Sequence, residues 1–413
     1  MRAGLRRSFG SLAVPNYRRY FAGQVVSVSG TWMQTVAEMW LLVKLTGSGV
    51  YVGLAPALQF APVLVLGAWG GAVADRVPRR RLLMATQTLM ALPALALFGL
   101  TVAGVVQVWM VFALIAVRGL VTALDNPTRQ SFVSELVGPE RVVNAVALNS
   151  VVVHSARILG PATAGAVIAL AGVGPCFAFN ALSFGAMLVA LHGMDARSLR
   201  TAAPVEKGQR QIRDALGYVR SSPALWIPLG MMAVVGTLAF NFQVLMPLLA
   251  DQTWHAGAST YALLTAAMGV GSVVGALVTG ARGRVSPRLL VGAAAAFGIV
   301  ELVAASAPTL ALQAASLAAL GAVSVTFAAG VNSSLQLGAA PAMRGRVMSL
   351  YSIVFLGSTP IGAPLVGWLA EVAGPRSGLV LGAAAALAAA VLAAVLYARA
   401  GAPLVLRRLL AAS

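Results

Sequence analysis

Long apolar runs alternate with short polar turns along almost the whole chain. "YVGLAPALQFAPVLVLGAWG" and "MALPALALFGLTVAGVV" carry no charge, yet "GAVADRVPRRRLL" between them sets five charged side chains in one turn. A helix needs about 20 apolar residues to cross a hydrocarbon core of roughly 30 Å. Runs of that length, bounded by charge, Pro and Gly, predict twelve helical spans. Their centres fall near residues 32, 60, 92, 114, 157, 184, 238, 270, 297, 320, 358 and 387. The pattern is that of an all-α membrane protein.

One long polar segment, 194–225, interrupts the series and divides it into a first bundle, 1–193, and a second, 226–413. Within it, "QRQIRDALGYVR" puts Ile212, Leu216 and Val219 on one helical face and Arg210, Arg213 and Arg220 largely on the other. This is the pattern of a helix lying on an anionic membrane surface. The two sides of the segment echo each other. Gly160, Gly165 and Gly172 align with Gly362, Gly367 and Gly374 at one constant offset, and "RVPRRRLL" (Arg76–Leu83) returns as "RVSPRLL" (Arg284–Leu290). Two similar six-helix halves predict a rocking transporter with its site between repeats.

Composition narrows the class further. Of 413 residues 59% are hydrophobic and 10% charged, with mean hydropathy +0.87. A soluble surface needs roughly 25% charged residues. The net charge of +18 and pI of 11.6 do not indicate nucleic acid, because basic residues collect in cytoplasmic loops of membrane proteins. All Lys and Arg except Lys44, Arg118, Arg157 and Arg376 fall on one side of the predicted spans. Both termini are therefore expected in the cytoplasm, with the N-terminus retained because it lacks a cleavage-site pattern. Cys176 is the single cysteine, and His154, His192 and His255 are too far apart for a metal motif. No phosphate-binding loop or nucleophile elbow occurs. No enzyme activity, cofactor or metal is expected.

The charged turn has a specific spacing. Gly71-x-x-x-Asp75-Arg76-x-x-Arg79-Arg80 follows span 2 and resembles the signature turn of the major facilitator superfamily. In span 5, Ala156-Arg-Ile-Leu-Gly160-Pro161-Ala-Thr-Ala164-Gly165 is similar to the superfamily's antiporter pattern, with two glycines replaced by alanine. The stretches Asn16–Ser48, Asn126–Ser150 and Ala156–Phe184 resemble the secretion-effector branch, which includes the enterobactin exporter and macrolide efflux proteins. The resemblance implies two pseudo-symmetric six-helix bundles and export. It also implies a conformational latch, with Asp75 facing the helix N-terminus near Val347 and the arginines pairing across the seam. Arg118 either joins that latch with Asp75 or snorkels.

Polar residues inside spans are functional candidates by default. Gln24, Ser27, Thr31, Gln34 and Glu38 recur at spacings of 3 and 4, one face of a helix. That stripe is expected to face a water-filled cavity. Glu38 suits three roles: proton exchange, pairing with Arg157, or contact with a cationic substrate. Ser150, His154, Arg157 and Pro161 form a second stripe, and Asn241, Gln243 and Glu301 are further candidates. Glu301 falls near the outer end, where water reaches it. Trp32, Trp40, Phe240 and Phe242 suit an apolar lining or packing.

Together these features predict proton-driven export of a small amphipathic compound by a monomer in the cell membrane. The expected partners are that compound, protons and lipid. Metabolite uptake or exchange is the alternative within transport; lipid movement or assembly is the alternative outside it.

Overall fold

The computed structural model describes residues 10–199, 211–282 and 286–400. Every regular element among them is helical: α1 Pro15–Thr46, α2 Gly49–Arg76, α3 Arg79–Val102, α4 Val108–Val137, α5 Val142–Ala171 and α6 Gly174–His192. Then come α7 Gln211–Arg220, α8 Pro223–Leu238, α9 Phe242–Leu248, α10 Ala258–Arg282 and α11 Pro287–Ser306. The series closes with α12 Leu310–Gly338, α13 Pro341–Gly357, α14 Thr359–Ala373 and α15 Pro375–Arg399. Eleven segments are long and apolar enough to cross a membrane, two of them the broken pairs Pro223–Thr253 and Pro341–Ala373. Helix α1 has the length, 32 residues, but its polar stripe keeps it out of that group.

The chain forms two compact units. The first comprises Met1–Gly47 and Leu58–Val205; the second comprises Ser48–Ala57 and Glu206–Ser413. Helix α2 therefore begins in the second unit. There Glu371 accepts hydrogen bonds from Ser48 Oγ and, at 3.0 Å, from the Val50 N–H. Gly49 and Gly53 lie against the backbone of α14 at Gly367 and Ala363.

In the first unit α1 packs on α5 and α6, α3 on α4 and α6, and α2 crosses α4. A Cβ at Gly160 would meet Trp32 Cβ at 2.5 Å, and one at Gly119 would meet the Gln59 carbonyl at 2.6 Å. Pro161 and Gly165 are buried beside this crossing. Small residues let helix backbones approach where lipid provides no hydrophobic drive.

The second unit repeats these devices. Gly321, the counterpart of Gly119 at the offset relating Gly160 to Gly362, lets α12 cross α10, and Gly362 lies on the Thr237 carbonyl of α8. Gly172 and Gly374 end α5 and α14 at φ 79° and 82°, a region favoured by glycine. The sequence repeat is thus a repeat of crossings and stops. Asn241 sits at the break between α8 and α9, buried, its Nδ2 donating to the Thr237 carbonyl at 2.7 Å. It satisfies backbone freed by the break.

Helix α7 differs from its sequence expectation. It packs on α13 through buried Ala215 and Val219, and Tyr218 Oη accepts the Ala340 N–H at 3.0 Å. Leu216 is exposed. Val219, one of the three residues assigned to the membrane-facing side, thus meets protein, while Leu216 of the same side does not. Arg210, Arg284 and the side chains of Ile212 and Arg213 lie outside the described residues.

Candidate site: a polar cavity and a buried ion pair in the first unit

Helix α1 supplies a polar spine, but its stripe divides in two. Gln24, Ser27 and Thr31 line a cavity of about 660 Å³ within the first unit. Gln34 and Glu38 continue beyond it into packed interior, both 0% exposed. The expectation that the whole stripe faces water is corrected, because α4 and α6 close over its last turn.

There Arg118 Nη2 donates to Glu38 Oε2 at 2.6 Å and to Gln59 Oε1 at 3.1 Å. Gln34 Nε2 donates to Glu38 Oε1 at 2.7 Å. Asn180 Nδ2 donates to Gln34 Oε1 at 2.5 Å, and Ser183 Oγ donates to Asn180 Oδ1 at 2.9 Å. Four helices thus fix one carboxylate. Breaking such a buried pair from one side costs about 3–5 kcal/mol, since the survivor stays charged. Arg118 is also part of the cavity wall, and its Nε and Nη1 have no acceptor among the described residues. One guanidinium therefore joins the buried carboxylate to the cavity.

Two earlier expectations change here. Arg118 holds Glu38 and is not paired with Asp75. Arg157 is exposed, its guanidinium 5.2 Å from the Trp32 ring centre, a cation–π contact that leaves Glu38 to Arg118. The side chain of His154 lies outside the described residues.

A second charged group in the same cavity was not singled out by sequence. Asp125 Oδ1 accepts from Thr86 Oγ1 at 2.6 Å and Gln87 Nε2 at 2.8 Å. Its Oδ2 accepts from Arg129 Nε at 2.8 Å, and Arg129 Nη1 donates to Gln24. Helix α4 runs on to Val137, so the polar run "DNPTRQ" that follows its apolar part is helical too. The i, i+4 spacing of Asp125 and Arg129 was the available signal.

The charged turn is tied down inside the first unit. Arg79 donates to Glu135 Oε1 and, at 3.5 Å, to Asp75 Oδ1. Arg80 caps the end of α6 through the carbonyls of Leu191 and His192 at 2.7 and 2.8 Å. Gly71 is buried, whereas Arg76 is exposed.

In the second unit Phe240 meets Phe242, Phe297 and Phe355 with ring centres 5.3–6.3 Å apart. Glu301 is fully buried rather than wet. The expectation of a wet carboxylate fails because α15 covers that face of α11.

Comparison with known proteins agrees with this architecture. Residues 7–402 match the family described as transmembrane secretion effector. The staphyloferrin A transporter of Staphylococcus aureus is 21% identical over 63% of this chain, but the alignment spans only 65% of that transporter's length. The enterobactin exporter EntS of Citrobacter koseri is 26% identical, with 87% of this chain and 86% of that protein covered. Macrolide efflux protein A of Streptococcus pyogenes is 23% identical over 85% and 88% of the two chains. Among solved structures, a bacterial homologue of the iron transporter ferroportin in an inward-facing state has a TM-score of 0.73. It is 16% identical, with 92% of this chain and 98% of that one covered. By family match and helical architecture, the chain belongs to the transmembrane secretion effectors, a family of multi-pass major facilitator transporters.

Proposed function

We propose that this protein is a secondary active exporter that exchanges protons for a small amphipathic compound across the cell membrane. Twelve spans in two six-helix bundles (1–193 and 226–413, joined by 194–225) would alternate access, with both termini in the cytoplasm. The observation that carries this reading is a buried carboxylate, Glu38, joined through Arg118 to the wall of a cavity of about 660 Å³. The relatives named for siderophore export and macrolide efflux support export as the direction.

The charge balance supplies a mechanism. Glu38 with Arg118, and Asp125 with Arg129, make the cavity electrically balanced. Protonating Glu38 leaves Arg118 uncompensated and the site net positive. A cationic cargo that suits the balanced site is then disfavoured by like-charge repulsion. Mutual exclusion of proton and cargo is what antiport requires. A proton moving down 100 mV provides about 2.3 kcal/mol, enough for modest accumulation.

The test uses everted membrane vesicles and a panel of macrolides, siderophores and cationic dyes. Export predicts respiration-driven uptake of at least one panel member that collapses when an uncoupler is added. Uptake that survives the uncoupler would point to facilitated exchange, and no uptake of any compound would favour lipid movement or assembly.

A further inference from the structure

Glu301 stands apart from every interaction so far described. It lies on α11 at 0% exposure, and neither carboxyl oxygen has a hydrogen-bond donor among the described residues. The fold nevertheless makes room for it. A Cβ at Gly382 of α15 would come within 2.5 Å of Oε1 and 2.8 Å of Oε2. The carboxyl thus fills a notch that a side chain at 382 would occupy. At the offset relating Gly160 to Gly362, Gly382 is the counterpart of Asn180.

Among the described residues no cation pairs with Glu301. Helix α12 has no charged residue. It presents Gln313, whose Nε2 donates to the Ala304 carbonyl at 2.9 Å, one turn from Glu301, and whose Oε1 has no donor among the described residues. Helix α15 brings Arg376 in its first turn, but that guanidinium donates to the Ala307 carbonyl at 2.7 Å and covers Trp254. Tyr397 and the exposed Arg399 are at the opposite end of α15, and Arg288 is exposed at the opposite end of α11. An enclosed carboxylate with neither donor nor cation is strongly disfavoured. A carboxylic acid supplies its own donor where acceptors alone are gathered.

We propose that Glu301 is a proton-binding site of the second unit, separate from Glu38–Arg118, its carboxyl held as the neutral acid in the notch over Gly382. Proton release then requires water to enter the notch, which ties occupancy to the spacing of α11 and α15. The assignment is independent of the cargo and of Glu38.

Infrared difference spectra of wild type against Glu301→Gln, in liposomes at neutral pH, test it. The expected result is loss of one carbonyl band of a non-ionised carboxyl, a band that moves down in D2O and persists in Glu38→Gln. Loss of a carboxylate band instead would overturn the proposal. A second measurement needs no variant: wild-type protein is treated with dicyclohexylcarbodiimide. The acid O–H adds across one C=N bond, its proton going to nitrogen and its oxygen to the central carbon, and acyl shift gives a stable N-acylurea. An adduct on the peptide containing Glu301, declining as pH rises, supports the site. An unmodified Glu301 at every pH counts against it.

Discussion

The partnership of Glu38 and Arg118 is the residue-scale fact on which most of the account depends. Sequence marks both as polar residues within spans, because the stripe spacing of α1 fixes which face Glu38 occupies. It cannot say which helix meets that face, and the partners are 80 positions apart. Asp125 and Arg129 stayed hidden for a different reason: a helix with a polar second half reads as a turn when apolarity alone marks its end. The pair has a stability signature. Glu38→Ala and Arg118→Ala should each destabilise the protein by about 3–5 kcal/mol. The double variant should lose less than the sum by at least about 1 kcal/mol, because neither charge is then stranded. Thermal denaturation in detergent measures the cycle; additive losses would contradict a direct pair.

At the scale of elements, close crossings at glycine organise each unit. The match to the antiporter pattern in α5 acquires a physical content here, since Gly160 is where α5 rests on Trp32 of α1. Gly160→Val should therefore cost about 1–3 kcal/mol by overpacking. Gly99 in α3 has nothing within 4 Å of its Cβ position. Gly99→Ala should thus leave stability equal or raise it by up to about 1 kcal/mol through helix propensity. Matched denaturation curves for the two variants would check the contrast. Equal effects would mean that the crossing is looser than described. Sequence located both helices from apolarity, but only the fold distinguishes the glycine that touches a neighbour from the one that does not.

For the whole molecule, the repeat was the most legible feature. Aligned glycines turned out to be aligned crossings and aligned helix stops, because backbone demands of this kind admit few other residues. Breaks were less legible: the long apolar runs around residues 238 and 358 read as single spans, yet each is interrupted. Internal prolines and Asn241 allow that break without leaving backbone groups unsatisfied, and hydropathy does not register it. Which carboxylate is paired and which is alone was likewise invisible, since Glu38 and Glu301 look alike as single acids in apolar runs. Both are fully buried, and their partners separate them into a salt-bridged site and one with no hydrogen-bond donor among the described residues.

The claim that Glu38 carries the exchanged proton is tested most directly by comparing driven with downhill flux in liposomes containing Glu38→Gln, using the compound identified in the vesicle panel. Glutamine keeps an acceptor for Arg118 and the donor–acceptor shape of the site, but it cannot gain or lose charge. The account predicts that an imposed proton gradient no longer drives accumulation, and that downhill exchange of a cationic compound also falls well below the wild-type rate, because glutamine fixes the site in the net-positive state of protonated Glu38. Accumulation at the wild-type level in those liposomes would contradict it.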